Sequence, residues 1–500
     1  MMKQVISADE LIIGAGLSGL MYGLVAIADD HKVVITESHY KPGGYATCFM
    51  REKGKYVFDC SQHKITGLGP NGNLRDSLER AGVWDLLKFY FYDDLTTIIY
   101  QGKALVVPSG AEDIKTMLLT NYPHEAQGIN QLFLDITTYG YQHYMFGRMM
   151  LGEYNLDKEL LPDSRRLAGI TAKQYFRALF TDNQLTEILS SVAIYLGTLA
   201  NEANAFYFLH FLYTTFYTGQ AYIKGTGQQL STILANEFKR RGGIIILNNP
   251  AERIHLDDSM RVAHVETLKK DIATDKILAA CSPSAIIGML GKENVSSAFL
   301  NKLNSLEIGW GHFCVYLVCT CPPADLGFES SEYLLVADDG DDCTAEDYQS
   351  EEYFHKLTVS ITNYHQIYAE GGYILQIIIL DHASNWFELD KSEYFAKKNR
   401  VQELLMKRVC RYFPKLEGNV QFKESSTPKT NFDYTSSQNG SAFGYKVMPK
   451  TNLGFLNQFP VKGISLVSGW TAGPGYEAAM CLGFTHATMQ KNKVKSLVQI

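Results

Sequence analysis

Near its start the chain carries a glycine turn, an isolated acid and a second pair of glycines, and their spacing suits the binding of a dinucleotide. The turn is Gly14-Ala15-Gly16-Leu17-Ser18-Gly19, set between an apolar strand over Glu10–Ile13 and a helix expected to run to about Ala28. In such a turn Gly14 allows the sharp bend, Gly16 lets backbone N–H groups approach a pyrophosphate, and Gly19 lets helix and strand pack closely. The phosphates then meet the positive end of the helix. Glu37 ends the next strand, Lys32–Thr36, roughly 20 residues beyond the turn, where its carboxylate can hydrogen-bond a ribose diol. A glycine turn alone is a weak signal. Here the strand before it, the helix after it, Gly23 one turn further along and the acid at the right distance agree, so a ligand-free turn is the weaker reading. Gly43-Gly44 follows directly after Glu37. Paired glycines there let backbone come close to a ligand that runs on past its pyrophosphate, which favours FAD over NAD.

The elements that must hold these residues belong to an ordinary globular chain. Its 500 residues, 46% hydrophobic and 20% charged, suffice for two packed domains. A net charge of −7 without a basic cluster excludes a nucleic-acid partner. The nine cysteines are scattered without zinc-site spacing, so no metal site is expected, and Cys319-Thr-Cys321 reads as a strand end with two buried thiols. The first strand starts within the first dozen residues, leaving no room for a signal peptide; a reducing cytoplasm is the expected home. No window reaches 18 uninterrupted apolar residues, so a transmembrane helix is not expected.

After Lys41-Pro42-Gly43-Gly44-Tyr45-Ala46-Thr47 comes a strand over Lys55–Asp59 and then Cys60-Ser61-Gln62-His63-Lys64-Ile65-Thr66-Gly67. This order of glycine turn, ribose acid, K-P-G-G and F-D followed by I-T-G resembles the phytoene desaturase, carotenoid isomerase and retinol saturase family of FAD oxidoreductases, within the flavin amine oxidase superfamily. The resemblance implies FAD as cofactor and places the stretch matching Cys60–Thr66 close to the flavin ring. Gly43, Gly44, Tyr45, Ala46, Gln62 and His63 are therefore expected cofactor contacts. The family often has Gly where this chain has Ser61 and a small residue where it has His63, whose side chain then either lies over the ring or replaces a packing contact.

The stretch from Asn73 to Gly219 reads as mostly helical and rich in aromatics, with two clusters at 139–150 and 205–217. They are either core packing or, on the family's long apolar substrates, the wall of a tunnel or a face dipping into a bilayer. His143 and His210 read as satisfied core histidines. A helix ending at Arg241, a strand over Ile244–Leu247 and Pro250-Ala251 return to an α/β pattern; the resemblance sets the backbone of Ala251 against the adenine. Val262–Leu268 and Lys276–Ala280 read as hairpin strands. In the strand Ile308–Thr320, alternation puts His312, Cys314 and Tyr316 on one face and Phe313, Val315 and Leu317 on the other. Strands over Lys356–Thr362 and Tyr373–Leu380 and a helix over Ser392–Tyr412 follow, and the acidic run Asp338–Asp342 reads as a solvated loop without calcium-site spacing. Ser426–Thr430 and Asn439–Gly444 resemble further family elements. A strand over Ile464–Val467 then leads through Ser468-Gly469-Trp470-Thr471-Ala472-Gly473-Pro474-Gly475-Tyr476-Glu477 to a helix expected to end at Met489. The resemblance sets this helix N-terminus against the flavin and makes Gly469, Gly475 and Tyr476 cofactor contacts; Trp470 stands where the superfamily often carries an acid.

The expected fold is therefore α/β, with a discontinuous Rossmann-like FAD-binding domain from residues 1–72, 220–300 and 440–500. An α+β substrate domain with a mixed sheet and aromatic-rich helices takes 73–219 and 301–439. The resemblance implies an FAD oxidoreductase that desaturates, saturates or isomerises a long polyene or isoprenoid-like molecule by hydride transfer at flavin N5. His63 and Glu477 are the candidates for proton handling, and peripheral contact with the inner face of a membrane is expected. Two other readings share the scaffold: a flavin amine oxidase, and a prenyl-binding chaperone of the Rab GDP-dissociation-inhibitor kind, for which the flavin-side glycines would have no ligand to serve.

Overall fold

Strands with apolar side chains on both faces must be covered on both faces. Glu10–Ile13 and Val33–Thr36 are of this kind and buried throughout. The computed structural model describes residues 4–27, 31–338, 343, 347 and 350–498. It sets these two strands at the middle of a five-stranded parallel sheet in the order Ile244–Ile246, Val33–Thr36, Glu10–Ile13, Ile277–Ala279, Ile464–Leu466. Ile12, Val33 and Ile35 enter the core that holds helix Leu17–Ala26, whereas Leu11, Ile13 and Val34 enter the core of the opposite face. Ala28, the expected helix end, lies outside the described residues. The last helix runs beyond Met489 to Val498 and lies across Leu17–Ala26, so close that a Cβ on Gly483 would fall 2.4 Å from the Ser18 carbonyl oxygen.

Ile277–Ala279 corrects the expected hairpin. Nearness to Val262–Thr267 suggested antiparallel pairing, but a strand buried at every position belongs inside the parallel sheet. Val262–Thr267 instead pairs with Ala251–Leu256 and Lys270–Ala273, in a separate four-stranded sheet that Gln4–Ser7 completes.

A seven-stranded sheet carries the other half of the molecule, in the order Val420–Ser426, Gly311–Cys319, Ile374–Asp381, Val359–Asn363, Glu332–Leu335, Asp94–Tyr100, Lys103–Pro108. Only Glu332–Leu335 and Asp94–Tyr100 pair in parallel. The last two strands lie in the stretch read as mostly helical. Their signal was Gln101-Gly102, both at positive φ (48° and 75°), a two-residue hairpin turn between β-branched runs. Phe313, Val315 and Leu317 do face one core and Cys314 and Tyr316 another, as alternation requires. Cys319 is buried at its strand end, while Cys321 is only half-buried. Helix Asn73–Arg80 sends Leu74 and Leu78 into the core of the parallel sheet. Of the acidic run, Asp338 alone is among the described residues.

Candidate dinucleotide and substrate site

A cavity of about 1220 Å³ is lined at one end by the carboxyl ends of the parallel strands and at the other by the seven-stranded sheet and its helices. Gly14, Gly16, Leu17, Ser18, Glu37, Gly43, Gly44, Tyr45, Ala46, His63, Ala251, Gly469, Gly475, Tyr476 and Glu477 all lie on its wall. The cradle is closed by backbone. Gly43 N–H donates to the Ala15 carbonyl at 2.7 Å, and Gly43 and Gly44 sit at φ +129° and +60°. A Cβ on Gly43 would stand 2.4 Å from the Ala46 carbonyl oxygen, so this glycine is required by the turn itself. Glu37 is fixed beside it: Oε2 accepts Ala15 N–H at 2.7 Å, and Oε1 accepts His39 N–H at 2.7 Å and the Ser38 hydroxyl at 3.1 Å. A carboxylate offers about four acceptor positions, so Oε2 keeps one towards the cavity.

The residues present fit a dinucleotide on a test independent of motif. Gly16 has an ordinary φ of −70°, and a Cβ there would meet nothing within 4 Å; the same space stands before Gly469. Neither backbone strain nor packing accounts for glycine at Gly16. What it leaves open is the cavity, at the N-terminus of a ten-residue helix whose first-turn N–H groups have no side-chain cap.

Three expected contacts do not reach the wall. Ala15 is buried, its N–H and carbonyl already used. Gly19 is a packing glycine, since a Cβ there would lie 2.4 Å from the Gly14 carbonyl oxygen. Gln62 turns into the core, where its Nε2 donates to the Ile223 carbonyl at 2.7 Å and its N–H to Asp59 Oδ1 at 2.8 Å. Buried Asp59 takes N–H groups from Ser61, Gln62 and Gly227; burial lifts its carboxyl to about 6 against their opposing pull. Ser61 donates to the Tyr45 carbonyl at 2.7 Å and accepts the Tyr476 hydroxyl at 2.8 Å, tying three cavity-wall stretches together. Trp470 is buried against Tyr445 and also reaches the wall.

Besides Glu37, two further buried glutamates lie on or just behind the cavity wall, and of these two sequence reasoning found only Glu477. Glu477 opens the last helix; Tyr144 donates to its Oε1 at 2.9 Å and Thr66 donates to its Oε2. Room for it exists because residue 67 is Gly: a Cβ there would stand 2.1 Å from Glu477 Oε1. Burial raises this carboxyl to about 7, with the two hydroxyls pulling the other way. Glu332 opens a strand of the seven-stranded sheet and is 1% exposed. Its Oε1 accepts the Tyr195 hydroxyl at 2.8 Å and the Ser360 hydroxyl at 3.2 Å, with His63 Nδ1 also 3.2 Å away, and Lys64 Nζ lies 3.1 Å from Oε2. Burial alone would raise it, but Lys64 and His63 outweigh that and bring it down to about 2. The missed signal was an acid opening an otherwise apolar strand, Glu332-Tyr333-Leu334-Leu335.

Beyond this polar belt the wall becomes apolar: Leu95, Ile98, Leu118, Ile188, Phe211 and Phe216 belong to it. The aromatic clusters thus serve as both core and wall, with Phe208 and Leu209 buried and Phe211 and Phe216 facing the cavity. His143 and His210 depart from the satisfied core histidines expected of them. Their rings cross at 4.5 Å on the cavity wall, each with a buried Nδ1 lacking a hydrogen-bond partner among the described residues. Desolvation lowers both, His143 to about 4. They were misread because the helix Ala205–Tyr217 packs core on one side and borders the cavity on the other. Among the described residues there is no cluster of three or more metal-ligating side chains, and no helix is long and apolar enough to cross a membrane.

Fold and cradle define a dinucleotide-binding α/β protein. Residues 12–81 match the model of the NAD(P)-binding Rossmann-like domain. The fold is similar to that of a putrescine oxidase variant, which superposes with a TM-score of 0.68 at 14% identity, covering 98% of this chain and 100% of the other. In sequence the chain is similar to all-trans-retinol 13,14-reductase of Danio rerio, 21% identical over 97% of this chain and 86% of that protein. It is likewise similar to the chloroplastic prolycopene isomerase of Arabidopsis thaliana, 22% identical over 88% of this chain and 74% of the relative. The resemblance to the phytoene desaturase, carotenoid isomerase and retinol saturase family thus extends along nearly the whole chain.

Proposed function

We propose that the protein is an FAD-dependent oxidoreductase acting on C=C/C–C bonds of a long hydrophobic, polyene or isoprenoid-like molecule. The observation that carries this reading is a single cavity joining a glycine-walled dinucleotide cradle to an apolar arm through a belt of buried acids, hydroxyls and a histidine. Relatives named for retinol and prolycopene support the substrate class. The Gly14–Gly19 turn would hold the pyrophosphate, Glu37 a ribose, Ala251 the adenine, and the segments at Gly43–Ala46, His63 and Gly469–Tyr476 the flavin half. FAD, when bound, would supply a two-electron hydride acceptor or donor at N5. The chain's own part is to exclude water and align an extended apolar molecule along Ile98, Leu118 and Phe211, and to hold protons at His63 and Glu477. Phe146, 48% exposed and on the cavity wall, offers an apolar lip for substrate arriving from a bilayer; sedimentation with liposomes tests that contact.

The deciding experiment is the visible spectrum of the purified protein, followed by anaerobic dithionite reduction and addition of conjugated polyenes. Flavin bands that bleach and are then restored by polyene mark a C=C reductase; an oxidised flavin bleached by a more saturated isoprenoid marks a desaturase. Bleaching by a primary amine instead would establish the amine oxidase reading, which the fold also permits. A cationic substrate would there face Lys64 and His63, with Glu332 already engaged by both. A protein that takes up no flavin on reconstitution overturns both readings.

A further inference from the structure

The surroundings of His63 are built rather than incidental. Its Nδ1 is buried and makes no well-aligned hydrogen bond among the described residues, and the carboxylate oxygen beside it is Glu332 Oε1 at 3.2 Å, within reach of a small turn of the ring. The ring lies nearly parallel to Tyr195, with centroids 5.5 Å apart and planes at 29°, and the Tyr92 hydroxyl donates to its main-chain carbonyl. His63 also forms part of the cavity wall. Glu332 is held in turn from four directions by Tyr195, Ser360, Lys64 and the strand itself, whose Glu332 carbonyl accepts the Thr96 hydroxyl at 3.3 Å. Glu332, Ser360 and Thr96 come from three strands of one sheet, Tyr195 from the short helix Val192–Leu196 packed against its core, and His63 and Lys64 from the loop that follows strand Tyr56–Asp59.

We infer that Glu332 is a positioning residue for His63: its carboxylate, kept ionised by Lys64, fixes the proton at Nδ1 and presents Nε2 to the reacting end of the apolar arm. This rests on the reading of His63 as a proton-handling group of an oxidoreductase. An imidazole whose Nδ1–H is held by a carboxylate is locked in tautomer and orientation, and the carboxylate stabilises the imidazolium formed when Nε2 takes up a proton. A proton leaving a substrate carbon would pass to Nε2 while its bonding pair becomes the second bond of the C=C and the neighbouring carbon gives up a hydride to the proposed FAD; in the reverse direction a hydride would add to one carbon and Nε2–H return the proton to the other. The other groups facing His63 are consistent with this. Lys64 is spent on Glu332, His312 is pushed down to about 4 by burial and then by His63, and Asp59 is engaged by three backbone N–H groups and the Tyr222 hydroxyl. Glu332 is therefore the group that sets the His63 tautomer, and substrates with cationic reacting ends are disfavoured.

The test is ¹⁵N NMR of the ring nitrogens in histidine-labelled full-length protein, with the His63 signals assigned by their loss in His63→Gln. A proton retained at Nδ1 from pH 5 to 9 is the expected result. A neutral His63 protonated at Nε2 with a bare Nδ1 overturns the inference. In the double variant Lys64→Met/Glu332→Leu, which removes the pair without leaving a lone buried charge, the Nδ1–H preference should vanish. In turnover kcat should fall by roughly 10²-fold with KM and flavin content little changed. An unaltered tautomer and pH profile in a folded double variant would count against it. If the double variant does not fold, the wild-type spectrum decides alone. A colourless protein would defeat the flavin reading while leaving this measurement intact.

Discussion

Glu332 and Glu477 are the same residue and both buried, one just behind the cavity wall and one on it, yet their carboxyls lie on opposite sides of the ordinary range, at about 2 and about 7. Desolvation acts on both in the same direction. What differs is the partner: Glu332 has the Lys64 ammonium and the His63 ring beside it, whereas Glu477 has only the hydroxyls of Tyr144 and Thr66. Two neutral donors do not offset the cost of burying a charge; a full cation does. The cavity therefore has a permanently anionic station on its sheet side and, on its helix side, one that gains or loses a proton near neutral pH.

The sharpest way to break this contrast is to make Glu332 resemble Glu477. Lys64→Met leaves a buried carboxylate with a histidine and hydroxyls alone and should cost about 3–5 kcal/mol in urea unfolding; an unchanged midpoint would mean that Lys64 does not hold the charge. The next effect is on pH. A carboxyl raised in the folded state adds stability that is complete below about 4.5 and is lost as pH rises through about 7, so Glu477 should weaken the protein across that window by up to about 3 kcal/mol. A carboxyl lowered in the folded state behaves oppositely, and Glu332 should contribute stability above about 4.5 that is lost as pH falls towards about 2. Melting profiles of Glu477→Gln should flatten the first window and leave the second; a slope surviving between pH 4.5 and 7 would assign it elsewhere. The smallest effect comes from Thr66→Val, which removes one hydroxyl from Glu477 and should move its titration further up while costing about 1 kcal/mol. A downward move would mean that Thr66 does not donate to the carboxylate.

What could be read from the chain follows from range. The cradle is backbone chemistry encoded by neighbours: Gly14, Gly16 and Gly19 have three different reasons to lack a side chain, and all three act within one turn. The alternation of Phe313 and Cys314 was equally legible, because a strand sorts its faces residue by residue. The Glu332 station was not, since Lys64, Tyr195, Glu332 and Ser360 meet only through the sheet and no local pattern joins them. Gln62 was misjudged for a related reason. A motif fixes which stretch passes the ring, while the pull of Ile223 and Asp59 decides which way one side chain in it turns. His143 and His210 show the same limit, because burial on a cavity wall and burial in a packed core leave identical traces in sequence.

The strand order of the parallel sheet carries a consequence for biosynthesis. Glu10–Ile13 leaves the ribosome long before its sheet neighbour Ile277–Ala279, and longer still before the edge strand beyond it, Ile464–Leu466. At bacterial to eukaryotic elongation rates the nascent apolar strand waits on the order of tens of seconds for that sheet to close. The parallel sheet behind the glycine cradle thus cannot be completed until Ile464–Leu466 has been made, and until then the apolar faces of Glu10–Ile13 lack their sheet partners.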